Sequence, residues 1–442
     1  MFRRRTSARF GRRPTGLLLL FCAALWLVAG AVAPARADDN FTTLKALIES
    51  GQYDKAREFA AHATGDAATD QLNLAFTNAL ILKVQGHYKE AAAAMRAILS
   101  DHPDLTRVRM ELSDTLYRMG DIEGATYNMQ LLADSTSDTT QRSFYDSYLS
   151  TIRSNRPWTL DAYVAIAPST NINNGVAGDT VTIGGVPFDA AGNKQKSGIG
   201  VAYGVAGTYR FMLSPEWDFT VGGKTNGNGY TDQTFDQLNG SVFGELARTT
   251  QMWRVGLGVT ADRTLFGWNG FNWDVGPQLS VSRHVGGNGT VIGTLGWKYV
   301  GYDQEDALNG GETDVGLRYL KQMSPSASWG VGVLFSDVNA NVQFNGFRRY
   351  RPSIDLYKEL WGGLLTSLSV GYEWREYKAD YPLTGAPRED REVDVDLAVT
   401  FRNLSWRGFA PKVEYTYTHN ASNIELNTYD SQAIGFYLTK QY

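Results

Sequence analysis

From Trp158 to its last residue the chain alternates, with large apolar side chains on one parity and Gly, Ser, Thr or charge on the other. A period of two places alternate residues on opposite faces of an extended strand, so the pattern predicts strands with one apolar and one polar face. Clear cases are Trp253, Val255, Leu257 and Val259 against Arg254, Gly256, Gly258 and Thr260, and Val393, Val395, Leu397 and Val399 against Asp394, Asp396, Ala398 and Thr400. Similar segments begin near residues 158, 197, 217, 238, 253, 272, 290, 312, 329, 347, 364, 391, 410 and 431, which makes fourteen, an even number. Their spacing fits strands of about ten residues with connections, as in an antiparallel transmembrane β-barrel. A closed barrel can span lipid because every backbone N–H and C=O is paired between strands.

Two regularities separate a membrane barrel from a soluble sandwich. Short connections at Leu213 to Glu216, Thr249 to Met252, Gly286 to Gly289, Ser324 to Ala327, Trp361 to Gly363 and Ser405 to Phe409 alternate with longer polar stretches. The longer ones include Thr170 to Lys196, Asn226 to Gln237, Asp303 to Gly311 and Asp380 to Asp390. Short periplasmic turns and longer external loops give this rhythm. In addition, Trp217, Trp253, Trp329, Trp361 and Trp406 stand at or beside short turns, as an aromatic ring at one membrane interface requires. The last segment, Ile434, Phe436 and Leu438 against Gly435, Tyr437 and Thr439, ends on Tyr442. It looks like the closing strand that barrel-insertion machinery reads, although the usual terminal residue there is Phe. The outward parity faces outer-membrane lipids.

The first part of the chain is of another kind. Residues 1–37 carry seven arginines and no acid, then an apolar run from Leu17 to Val32 and Ala35-Arg36-Ala37 before Asp38, the three-part layout of a cleaved secretory signal peptide. Its removal leaves 35 basic against 46 acidic side chains, a net of −11, which excludes general nucleic-acid binding. The one cysteine, Cys22, leaves with it, and with it any disulfide or thiol chemistry. Only eight of the 46 glycines lie in residues 1–157, and only one of eleven tryptophans precedes Trp158. Residues 38–156 therefore read as a separate helical domain, and 157–442 as the barrel domain. The helical part repeats: Gly51-x-Tyr53-x-x-Ala56, Gly86-x-Tyr88-x-x-Ala91 and Gly120-x-Ile122-x-x-Ala125, with Met95, Ile98 and Pro103 in the middle unit. The period of 34 to 35 residues resembles the tetratricopeptide repeat, an α-solenoid of helix pairs. About three repeats and a capping helix from Gln141 to Asn155 are expected. Such arrays present a concave groove built from the first helix of each pair. The repeat register puts Asn73, Phe76, Lys83, Arg107, Met110, Asp114 and Tyr117 there, as candidate contacts for a client.

Chemistry is sparse. The histidines at 62, 87, 102, 284 and 419 are scattered, so no zinc ligand set is expected, and no cofactor. Gly198-x-Gly200 with Gly204 is the small parity of a strand, not a phosphate loop. His419 near Ser422 is the one pairing suggestive of a barrel lipase, but strand parity turns His419 outward, so no enzyme is expected. Lumen parity instead holds Glu245, Arg254, Lys298, Arg318, Arg351, Asp355, Glu373, Arg375, Asp394, Asp396 and Glu414. Both signs occur, which implies a hydrated interior without an obvious anion or cation filter. Part of this charge is expected simply to pair across strands.

Three further segments are informative: Pro168-Ser169-Thr170-Asn171-Ile172-Asn173 at the end of the first strand, Arg388-x-Asp390 before the twelfth, and Gly408-Phe409-x-Pro411 running into Tyr415-x-Tyr417-x-x-Asn420-x-Ser422-Asn423-Ile424. With these, the chain resembles the surface lipoprotein assembly modulators, in which periplasmic tetratricopeptide repeats are fused to a fourteen-stranded outer-membrane barrel. The resemblance covers nearly all of residues 38–442. It implies a translocator that moves a client, a surface lipoprotein or a related secreted scavenging protein, from periplasm to cell surface. The repeats would take the client from periplasmic chaperones and pass it to the lumen, and folding outside would bias the movement outward. An outer-membrane diffusion or uptake channel with a periplasmic docking scaffold is the alternative reading of the same architecture, and a purely structural, adhesin-like barrel a third.

Overall fold

The computed structural model describes residues 38–154, 156–382, 384–404 and 409–440. The signal-peptide segment with Cys22, most of the Ser405 to Phe409 turn with Trp406 and Gly408, and Tyr442 lie outside the described residues.

Seven helices come first: α1 (Asp38–Glu49), α2 (Tyr53–Ala61), α3 (Ala67–Val84), α4 (Tyr88–Asp101), α5 (Thr106–Arg118), α6 (Ile122–Ser135) and α7 (Thr139–Ser154). Asp66 caps α3 by accepting the Thr69 N–H, and Asp121 caps α6 by accepting that of Gly124. The repeating glycines end the first helix of each pair in the left-handed region, with φ of 75° at Gly51, 83° at Gly86 and 80° at Gly120. Five residues on, Ala56, Ala91 and Ala125 are fully buried where neighbouring helices meet. One apolar cluster, from Leu44 and Ile48 through Leu80, Met95 and Leu99 to Leu116 and Ile152, runs the length of the array. A smaller one around Met129, Leu132 and Leu149 seats α7.

Fourteen antiparallel strands then close a barrel in the order β1-β16-β15-β14-β13-β12-β11-β10-β9-β8-β7-β6-β5-β4. They are β1 (Trp158–Ser169), β4 (Gly198–Met212), β5 (Trp217–Tyr230), β6 (Gln237–Thr249), β7 (Trp253–Phe266), β8 (Asn269–Val285), β9 (Gly289–Tyr302), β10 (Gly310–Ser324), β11 (Ala327–Val338), β12 (Phe347–Leu360), β13 (Leu364–Asp380), β14 (Pro387–Phe401), β15 (Phe409–Ser422) and β16 (Tyr429–Lys440). Each begins within four residues of the position expected from the alternation. β2 (Thr180–Ile183) and β3 (Val186–Asp189) form a separate hairpin inside the first long loop. The strands run 12 to 17 residues, longer than the apolar alternation requires. Asn226 to Tyr230 and Pro387 to Asp390, expected in loops, are paired strand. Polar residues above the hydrocarbon still satisfy one another's backbones, so pairing outlasts the alternating pattern.

The outward parity is apolar and open: Val255, Leu257 and Val259 on β7, Val331 and Val333 on β11, Ile434, Phe436 and Leu438 on β16. Trp158, Trp217, Trp253 and Trp361 are exposed at the short-turn end, and Trp273, Trp297 and Trp374 at the opposite end, so the wall carries two aromatic girdles. Inward glycines accommodate rings from the adjacent strand. A Cβ on Gly204 would stand 2.5 Å from the Tyr163 ring, closer than any side chain permits.

Candidate functional site: helical groove, docked mouth and lumen

The concave side of the helical array holds a cavity of about 390 Å³, lined by α1, α3, α5 and α7 together with Tyr88 and Met129. Its apolar walls include Phe41, Ile48, Leu80, Val84, Phe144 and Tyr148. Of the seven residues expected in the groove, Lys83, Met110 and Asp114 line this cavity. Lys83 lies 2.6 Å from both Glu111 and Asp114. Asp114 also accepts from Tyr148 at 2.6 Å and from Arg118 at 2.9 Å. Burial opposes ionisation of Asp114, but the bonds from Lys83, Tyr148 and Arg118 outweigh it and bring the carboxyl down to about 2. The same burial and the bond to Asp114 push the Tyr148 hydroxyl up. The other four sit elsewhere. Phe76 is buried and stacks on Phe41; the Arg107 guanidinium lies over the Phe41 ring, 3.6 Å from its centroid. Tyr117 packs edge-on to Tyr148, and Asn73 offers its carbonyl to Thr77. Phe41, Phe144 and Tyr148 are cavity residues that the repeat register did not single out; they belong to the flanking helices, where no repeat signature marks a groove face.

The helical array is seated on the short-turn end of the barrel. Arg109 of α5 is fully buried and donates to Glu359 at the end of β12 at 2.9 Å, to Asn128 at 3.2 Å and to the Pro103 carbonyl at 2.7 Å. Arg402, from the β14–β15 turn, binds the other oxygen of Glu359. Nearby, the hydroxyls of Tyr127 and Tyr357 are 2.8 Å apart, Ser326 donates to Asp104 at 2.7 Å, and Asn403 donates to Ser100 at 2.9 Å. Further round the rim Arg142 donates to the His284 ring at 2.9 Å, and Gln251 to Ser143 at 3.3 Å. None of Arg109, Glu359 or Arg402 was marked by motif. Arg109 shares a helix face with Leu112 and Leu116, and a charge at a core spacing was the available signal.

In the lumen, ten of the eleven charges expected there are in ion pairs. Arg254 meets Glu245 at 2.7 Å and Asp218 at 3.6 Å; Lys298 meets Glu312 at 3.4 Å and Asp274 at 3.7 Å; Arg318 meets Asp355 at 2.7 Å. Arg351 meets Asp394 at 2.7 Å and Glu373 at 3.6 Å, Arg375 bridges Glu373 and Asp390, and Glu414 meets Lys412 at 2.5 Å. Asp396 has no ion pair among the described residues. His419 is opposite Asp430 and Val393 on the outward parity and bonds to Asp430 at 2.7 Å.

The first two informative segments and the later part of the third, from Asn420 to Ile424, meet at the long-loop end. Asn171 is buried, its side chain bonding the Gly175 N–H and C=O and the Asp430 carbonyl, so it ties β1 to β16. Asn173 bonds the Lys194 carbonyl and Lys196 N–H, and the Ile172 N–H donates to the Lys196 carbonyl. Arg388 grips both oxygens of Asp390 at 2.9 and 2.6 Å. Asn423 bonds Pro387 and Glu389, the Ser422 hydroxyl accepts the Ile424 N–H, and the buried Asn420 donates to the Asn427 carbonyl at 2.6 Å. Phe409 and Pro411 stand at the other end of β15, on the outward parity opposite Lys440 and Leu438. The long first loop leans across this assembly. Val176, Val181, Ile183 and Ala190 form a small apolar core against Tyr381 and Leu426 of two other loops.

Comparison with known proteins follows the same lines. A Surface lipoprotein assembly modifier from Pasteurella multocida (strain Pm70) is 25% identical over 403 residues, covering 84% of this chain and 76% of that protein. Surface lipoprotein assembly modifier 1 of Neisseria meningitidis serogroup B is 21% identical over 371 residues, covering 82% and 75%. Among solved structures, OprB of Pseudomonas putida superposes with a TM-score of 0.38 at 8% identity, covering 67% of this chain and 96% of its own. The family described as Surface lipoprotein assembly modifier matches residues 158–442, the whole barrel, and the chain belongs to that family.

Proposed function

We propose that the protein is an outer-membrane translocator that delivers a client surface lipoprotein, or a related secreted protein, from the periplasm to the cell surface. In this reading the groove of the helical array captures the client while it is still unfolded, and the barrel passes it outward. No step needs a nucleotide; folding of the client outside withdraws it from the return path. The observation that carries the reading is the direct seating of the groove-bearing helices on the mouth of a polar lumen, which makes capture and passage neighbouring events. The names of the relatives, which concern surface lipoprotein assembly, point to the same class of client.

The test is deletion of residues 38–156 with the signal segment and barrel retained. Client on the surface, measured by antibody or protease accessibility on intact cells, is expected to fall to background while the barrel still inserts. Undiminished display would remove the capture role.

A further inference from the structure

We propose that the helical array is a removable plug of the barrel, latched shut by the Arg109–Glu359–Arg402 cluster. The proposal rests on the translocation reading and supplies its gate. Helices and the loops between them touch the β6–β7, β10–β11 and β14–β15 turns through Gln251, Ser326 and Asn403, and the short-turn ends of β8 and β12 through His284 and Glu359. The array therefore lies across the lumen's mouth rather than beside it.

The chemistry of this seat is that of a joint made to part. Among the described residues, no apolar cluster includes both helical and barrel-wall residues. Permanent interfaces resemble a divided hydrophobic core, whereas polar ones within a chain permit relative motion. A buried ion pair contributes little net attraction, because desolvation offsets most of the Coulomb term, yet it is costly to misalign. Two arginines sharing one carboxylate thus fix a single docked pose without making it irreversible. Moreover, Nε of Arg109 and both Nε and Nη2 of Arg402 are buried without a hydrogen-bond partner, so undocking returns these donors to water. The latch is also off-centre. On the far side, α6 and α7 face the β4–β5 and β6–β7 turns across a cleft of about 550 Å³ with Arg142, Ser150, Pro215 and Thr250 on its walls, bridged by the Arg142–His284 and Gln251–Ser143 bonds. This cleft is where the plug first lifts.

The experiment uses the full chain with Cys22→Ser, which leaves no native cysteine. Asp104→Cys with Ser326→Cys places two thiols where the Asp104 carboxylate and Ser326 hydroxyl now bond at 2.7 Å, ready for a disulfide or a short bis-thiol reagent. In planar bilayers the linked protein is expected to stay closed, and in cells client display is expected to fall to background and return with reductant. Glu359→Gln is expected to raise the time spent open by about ten-fold or more. Linked protein that conducts like the unlinked form, or that displays client at an undiminished rate, would overturn the plug. If Glu359→Gln fails to insert, the linked pair still decides. Conductance needs no client, so a gate that works in a protein that fails the capture test separates the two ideas.

Discussion

Asp114 concentrates the electrostatics of the helical groove. Lys83, Arg118 and Tyr148 all direct donors at it, and its carboxyl is held down at about 2. A depressed acid contributes stability that is fully present above its unfolded pKa, about 3.9, and is lost as pH falls towards its folded value. Helix content at 222 nm of the detergent-solubilised protein should therefore fall as pH drops from about 4 to 2. Asp114→Asn should flatten that dependence and lower stability at neutral pH by about 1 to 2 kcal/mol. An equal acid response in wild type and variant would assign the sensitivity elsewhere. Asn171 is the counterpart at the outer end. Its amide closes three backbone bonds in a buried place, and Asn171→Ala strands those groups at about 1 to 3 kcal/mol. Faster proteolysis within 170–197 on intact cells is the expected sign, with the barrel itself unchanged.

At the scale of single elements, β7 shows what the alternation means. Trp253 stands in one girdle, Arg263 is level with Trp273 of the other, and Leu257 and Val259 lie midway on the lipid face. Leu257→Arg should cost about 2 to 4 kcal/mol of folding stability in lipid vesicles, because a charge is moved into the middle of the hydrocarbon. Thr260→Ser, on the lumen side of the same strand, should change little. Comparable losses for both would mean that the two faces are not solvated differently.

For the molecule as a whole, much of the architecture was legible because bilayer and repeat both impose periods on sequence. Trp253 to Val259 announced a strand in lipid, and Gly51, Gly86 and Gly120 announced helix turns where only glycine sits easily. Outer-membrane location follows from the closed barrel and the family, with the helices on the periplasmic side. The seat between the two parts was illegible for a physical reason. Arg109, Glu359 and Arg402 are far apart in sequence and obey no common spacing, and polar residues at such joints look like ordinary surface. Phe76 shows the converse, since a repeat register cannot tell a groove wall from a core stack when a preceding helix supplies Phe41. The long first loop is likewise set by contacts with Tyr381 and Leu426, which no local pattern encodes.

Pairing of the lumen's charges along and across strands has a last consequence for the proposed passage of a client. With most arginines already facing carboxylates, a threading client would find few free cations on which to lodge, Asp396 being one acid left without an ion pair among the described residues. In the translocation proposed above, such a wall would be wet without holding fast to a passing client.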